Sequence, residues 1–154
     1  MAATATVSVM KGSALRAIGM GGLTAGVLDL TQASIFFGVR VPLVIAAGLL
    51  GRSALHGGAG TYALGILLHF FIATSAAAIY YGVSRRLPFL AEYWLICGLF
   101  FGAAVEEVMS LIVLPLSALH DVGPYEWRDL VLGLGVHMVV VGLPIAYCVR
   151  RFGR

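Results

Sequence analysis

The sequence predicts an all-α membrane protein with four transmembrane helices and one short interfacial or re-entrant helix between the first and the second. Composition is the first observation behind this prediction. Of the 154 residues, 60% are hydrophobic and 11% are charged, whereas soluble domains carry roughly 25% charged residues. The second observation is that the apolar residues form four runs of about 20 residues or more, long enough to cross a bilayer. We therefore treat residues 1–154 as a single transmembrane domain.

The first span is predicted over residues 13–37 and the short helix over residues 41–54. The first apolar run is too long for a signal peptide and contains an acidic residue. Gly38, Arg40 and Pro42 end it. The apolar part of the next segment is only about 11 residues long and is flanked by Arg40 and Arg52, so it is too short to span a bilayer. It is expected to lie at the membrane interface or to re-enter the same face.

The other three spans are predicted over residues 60–83, 90–114 and 125–149. A basic turn containing Arg85 and Arg86 ends the second, Pro115 ends the third, and arginines follow the fourth. Aromatic residues near helix ends are typical of membrane interfaces. Those near the ends of these spans are Tyr93, Trp94 and Trp127.

The basic residues lie mainly at one side of the predicted membrane. Seven fall at the ends on the side of both termini, and three fall on the other side. The first group is Lys11, Arg16, Arg85, Arg86, Arg150, Arg151 and Arg154, and the second is Arg40, Arg52 and Arg128. By the positive-inside rule, both termini are expected in the cytoplasm. This clustering favours membrane lipid, not nucleic acid, as the partner.

Each predicted span carries one ionisable residue near its middle. These residues are Asp29, His69, Glu106 and His137. Burying such a group in hydrocarbon costs several kcal/mol, so a chain with one in each helix is expected to use them. The helical rise of about 1.5 Å per residue places all four in one slab about 6 Å thick.

Small residues share a helix face with these ionisable groups. Gly98, Gly102 and Ser110 recur at four-residue spacing with Glu106, and such stripes allow close helix contact. The polar residues are therefore expected to point into the bundle, with Gln32 supporting Asp29 by hydrogen bonding. The predicted polar or ligand-binding cluster is Asp29, Gln32, His69, Glu106, Ser110 and His137.

Several functions fit such a cluster. The sequence contains no nucleophile–base signature, so we expect no catalytic residue and favour a non-enzymatic binding or accessory subunit. A second hypothesis is a metal or haem site built from His69 and His137 with Asp29 or Glu106, although the Glu-x-x-His pair of di-iron bundles is missing. A third is a proton-coupled transporter acting as a dimer. A purely structural hydrogen-bonded network is a further alternative.

The identity of any cofactor or ligand stays open, as does the choice between a homo-oligomer and a larger membrane complex.

The chain contains the motifs LLHFFIA around His69, SRRLPFL at a turn, GLFFGAAVEEVMS, and the ending VLPLSAL. These motifs carry a likeness to the YagU-type family of small bacterial inner-membrane proteins. GGLTAGVLDLTQAS and GLLGRSALHGG extend it over most of the chain. The resemblance implies a four-helix protein of the bacterial inner membrane and implies no particular activity.

Overall fold

The chain folds into long helices joined by short turns. The computed structural model describes residues 2–120, 123 and 126–153; this described part is 87% helical and contains no strand. A 3₁₀ turn, Arg52–His56, follows the second helix. The helices are α1 (Ala2–Phe37), α2 (Val41–Leu50), α3 (Ala59–Ser84), α4 (Phe89–Glu92), α5 (Trp94–Leu116) and α6 (Trp127–Phe152).

Three helices, α3, α5 and α6, are each long and apolar enough to cross a membrane. Ser13–Phe37 of α1 meets the same criterion together with α2, giving a fourth candidate span that is bent by 104°. The predicted start of the last span at Tyr125 and the basic residue Arg154 lie outside the described residues.

The outer surface of the bundle is apolar. Leu67, Phe71 and Phe100 are about 70% exposed, at 68%, 69% and 71%, and many other large apolar side chains also face outward. Exposing such a surface to water over several helices is energetically unfavourable, whereas contact with lipid is not. Together with the three to four candidate spans, this surface indicates a membrane protein.

The turn between α1 and α2 folds the chain back toward α3. Gly38 has a φ of 87°, a conformation that glycine adopts without steric cost. Pro42 follows in the first turn of α2, where its missing N–H breaks no helical hydrogen bond. Gly65 of α3 lets α2 approach closely, since a Cβ atom at this position would overlap the Pro42 carbonyl. As a result, α2 packs against the first half of α3.

The core centres on α1, which packs against α3 on one side and against α6 on the other. Small residues make these contacts close: a Cβ atom at Gly22 would lie 2.6 Å from Thr74 Cα. On its far side, α6 packs against α5. The buried residues of this core are Ala17, Ala25, Ala77, Tyr80, Val141, Ile145, Ala146 and Val149.

Both α5 and α6 contain a wide π-helical turn just before a proline. The turns are Met109–Val113, ahead of Pro115, and His137–Gly142, ahead of Pro144. A proline ring clashes with the carbonyl four residues earlier and offers no N–H to it, and a π turn accommodates the change in hydrogen bonding. The turn in α6 begins at His137, so the proline helps to set the direction of this side chain.

Candidate functional site

Asp29 of α1 lies between two histidines from different helices. Its Oδ2 atom is 3.9 Å from His69 Nε2 of α3, and its Oδ1 atom is 3.9 Å from His137 Nε2 of α6. These separations are too long for hydrogen bonds but short enough for strong electrostatic interaction at low dielectric constant. The three side chains are mostly shielded, with exposed fractions of 12–21%.

His137 connects this group to Glu106 of α5. Its Nδ1 atom lies 3.0 Å from Glu106 Oε2 and 3.0 Å from the Gly133 carbonyl oxygen. Both partners accept hydrogen bonds, so Nδ1 carries the hydrogen. The second carboxylate oxygen, Oε1, accepts a hydrogen bond of 3.2 Å from Ser110 Oγ. Glu106 is therefore well supplied with donors, and its partner His137 is held in one orientation.

His69 is held by the backbone of α1. Its Nε2 atom donates to the carbonyl oxygen of Gly26 at 2.9 Å. Close approach makes this contact possible, since a Cβ atom at Gly26 would lie 2.8 Å from the Phe70 ring. Gly133 has a similar role in α6, where a Cβ atom would lie 2.5 Å from Glu106 Oε1. Two glycines thus give the polar side chains room to reach the neighbouring helices.

A cavity of about 280 Å³ opens beside Asp29, His69 and His137. It lies between α3 and α5, which pack little against each other in the described chain. Helix α2 forms another wall. The volume is just below the roughly 300–1,000 Å³ typical of ligand pockets. The rest of the lining is apolar apart from Ser117, and includes Val44, Ile45, Leu49, Leu68, Ile72, Val105, Met109, Val113, Leu114 and Val141.

The structure brings together five of the six predicted cluster residues. Asp29, His69 and His137 line the cavity, while Glu106 and Ser110 lie behind His137. The predicted hydrogen bond between Gln32 and Asp29 is not formed among the described residues.

The sequence suggests that residues 41–54 cover the polar slab, but it does not identify which of them line the site. Gly48 and Leu49 line the cavity opposite Met109 of α5, and the backbone N–H of Ala118 donates to the Gly48 carbonyl at 2.8 Å. Nothing in the spacing of these residues indicates a shared site. The one usable signal was that residues 41–54 are too apolar for a simple loop and too short for a span, which is typical of a segment folded against a bundle.

The arrangement gives little support to the metal and haem hypothesis. No group of three or more His, Cys, Asp or Glu side chains within residues 2–120 and 126–153 is placed to hold a metal ion. The Nε2 atoms of His69 and His137 both approach Asp29, so a carboxylate occupies the place that a haem iron would need. Nδ1 of His137 is engaged by Glu106 and Gly133.

Comparison of the chain with protein-family models, curated proteins and solved structures finds no match.

Proposed function

We propose that this protein is a non-enzymatic membrane protein that binds a small amphipathic molecule in the cavity beside Asp29, as a binding or accessory subunit. The observation that carries the proposal is the contrast within this cavity. Its walls are apolar, yet one carboxylate, Asp29, lies in them without a hydrogen bond from any described side chain or backbone group. A pocket of this kind, apolar with a few convergent polar groups, is the typical form of a small-molecule site.

We further propose that the chain crosses the membrane four times, through α1, α3, α5 and α6. The ten residues of α2 are about 15 Å long, half of the roughly 30 Å hydrocarbon core. In this topology α2 lies at or re-enters the non-cytoplasmic face, and the basic residues place both termini in the cytoplasm. The YagU-type motifs support a relationship to that family and a location in the bacterial inner membrane.

Cysteine labelling tests this topology. In a variant without the native thiols Cys97 and Cys148, a membrane-impermeant maleimide is expected to label Ser53→Cys from outside intact cells. Arg86→Cys is expected to react only after the membrane is permeabilised. Both positions are exposed, so their difference in reactivity reports their side of the membrane. Labelling of Arg86→Cys in intact cells would contradict the proposed orientation.

Occupation of the cavity is expected to be visible at Met109. In protein labelled with ¹³C at the methionine methyl groups, adding hexan-1-ol is expected to shift the Met109 resonance in a saturable way. Met20 is 47% exposed on the outside of the bundle and does not line the cavity. Its resonance should change only in proportion to the alcohol that enters the detergent micelle.

A variant that fills the cavity provides the control. Gly48 lines the cavity, and a Cβ atom there would meet only Ser117 Cβ at 3.8 Å, so Gly48→Leu adds volume with little strain. It should abolish the saturable shift. Gly82→Leu, at an exposed position with no atom within 4 Å of an added Cβ, should retain it. If Met109 and Met20 respond alike in the unchanged protein, the binding function is wrong.

Proton-coupled transport by a dimer is a second candidate, favoured by the order of the ionisable groups. Glu106, His137, Asp29 and His69 form one row from α5 to α3, with successive separations of 3.0, 3.9 and 3.9 Å. Rows of carboxylates and histidines relay protons in membrane proteins. In proteoliposomes, a transporter would dissipate a pH gradient only when its substrate is present, whereas a binding subunit would leave the gradient intact.

A further inference from the structure

The Asp29 carboxylate lacks hydrogen-bond donors. A carboxylate can accept about four hydrogen bonds, and burying one without donors is costly. Among the described residues none donates to Asp29, and the two histidine nitrogens nearest to it remain 3.9 Å away. Because Asp29 lines the cavity, the missing donors have to come from whatever occupies that space.

The charges around Asp29 do not balance. His137 Nδ1 donates toward Glu106 and the Gly133 carbonyl, so its Nε2 atom faces Asp29. A lone pair there would repel the carboxylate, whereas a second N–H would make His137 a cation between two carboxylates. With both carboxylates ionised, the three side chains Asp29, Glu106 and His137 then carry one net negative charge.

The rest of the site does not supply the missing positive charge. His69 donates to a neutral carbonyl, so its hydrogen bond requires no charge on the ring. No lysine or arginine in the described chain forms an ion pair with Asp29 or Glu106. A net negative charge among apolar walls favours a cationic ligand, because the attraction between opposite charges strengthens as the dielectric constant falls.

The walls also restrict which cation fits. Sites for quaternary ammonium groups are typically lined by aromatic rings. None of the described residues that line this cavity is Phe, Tyr or Trp. Recognition at Asp29 therefore depends on hydrogen bonding, which requires N–H donors on the ligand.

We propose that the ligand of this cavity is a protonated aliphatic amine. Its ammonium N–H groups donate to Asp29, and its alkyl part lies among apolar side chains such as Ile45, Leu68 and Met109. This inference rests on the proposed binding function and specifies the chemical class of the ligand. Hydrogen bonds to charged groups are stronger than those between neutral groups, so the amine should bind about tenfold or more tightly than a neutral alcohol of equal length.

Three probes with the same alkyl chain test the proposal through the Met109 resonance: hexylamine, hexan-1-ol and hexyltrimethylammonium. At neutral pH, hexylamine is expected to saturate the shift at a concentration at least about tenfold lower than either of the others. Asp29→Asn keeps the shape and one acceptor but removes the charge, and is expected to reduce the affinity for hexylamine to that for hexan-1-ol. Glu107→Gln removes a carboxylate from the exposed side of α5 and should leave all three affinities unchanged.

The outcomes separate this inference from the function on which it rests. If hexan-1-ol and hexylamine saturate Met109 at equal concentrations, the cavity binds small molecules but the amine assignment is wrong. The same holds if Asp29→Asn retains the preference for hexylamine, or if hexyltrimethylammonium matches it. If no probe produces a saturable shift, the binding function itself is wrong.

Discussion

Replacing Gly102 with alanine is expected to destabilise the protein by about 3 kcal/mol, at the upper end of the usual cost of overpacking. The added Cβ atom would overlap the carbonyl oxygen of His137 and lie 2.6 Å from Met138 Cα. These are backbone atoms of α6, which cannot rotate away as a flexible side chain can. To make room, α5 has to move away from α6 along the contact that also includes Gly98 and Gly142.

Gly135→Ala is the matched control for this change. Gly135 also lies within α6, but it is exposed, and no atom lies within 4 Å of an added Cβ. Alanine has a higher helix propensity than glycine, so this variant should be neutral or slightly more stable. The free energies of unfolding are measured by titration with a denaturing detergent in mixed micelles. Equal stability of the two variants would show that the α5–α6 contact is looser than the structure indicates.

The Gly102 variant should also weaken the site. The new methyl group would overlap the carbonyl oxygen of His137. Because α5 has to move away to make room, the Glu106 side chain moves away from the His137 ring. Saturation of the Met109 resonance by hexan-1-ol should then require a higher concentration in Gly102→Ala than in Gly135→Ala.

The sequence allowed the ionisable row to be predicted because helical geometry is regular. A rise of about 1.5 Å per residue converts position to depth, and spacing of three or four residues identifies a face. These rules placed Asp29, His69, Glu106 and His137 at one level, on the stripes of small residues. The structure has them in one row with separations of 3.0–3.9 Å. Apolar runs of sufficient length predicted an all-helical fold for the same reason.

The cavity could not be predicted, because it depends on a turn and on a gap between helices. The positive φ of Gly38 allows the chain to bend by 104° between α1 and α2. The periodicity of the sequence does not encode this angle. Gly65 then determines how closely α2 approaches α3. That α3 and α5 pack poorly together follows from the three-dimensional arrangement of all the helices, not from a property of either segment. The membrane depth and the helix face of the polar side chains could be predicted from the sequence, but the cavity beside them could not.

The π turn at His137 departs from regular helical spacing, although His137 and Val141 both line the cavity. With a regular helix, the sequence places Gly133, His137 and Val141 on one face. The turn His137–Gly142 includes one extra residue per turn, which rotates the residues after it relative to those before it. Pro144 suggests such a local change but does not determine its form.

Replacing His137 with alanine is expected to cost about 3 kcal/mol of stability, because it leaves the buried Glu106 carboxylate without its main partner. The Glu106 side chain is 14% exposed, and its Oε2 atom lies 3.0 Å from His137 Nδ1. Ser110 would remain as a donor to Oε1 alone. A structural polar network and a binding site both predict this loss, so the single variant shows the strength of the pair but not its purpose.

A double-mutant cycle isolates the pair. In the Glu106→Gln background no buried carboxylate is stranded, so His137→Ala should cost at least about 1 kcal/mol less than in the unchanged protein. In the Glu107→Gln background its cost should change by less than about 0.5 kcal/mol, because Glu107 faces away from the bundle. Equal costs in all three backgrounds would show that Glu106 and His137 do not interact in the folded protein.

The cycle also bears on why the chain keeps an ion pair in its bundle. If Glu106→Gln with His137→Ala restores stability but not the preference of the cavity for hexylamine, then the pair is retained for the charge that it sets beside Asp29. If stability and preference return together, the pair serves helix packing, and Asp29 alone determines what the cavity binds.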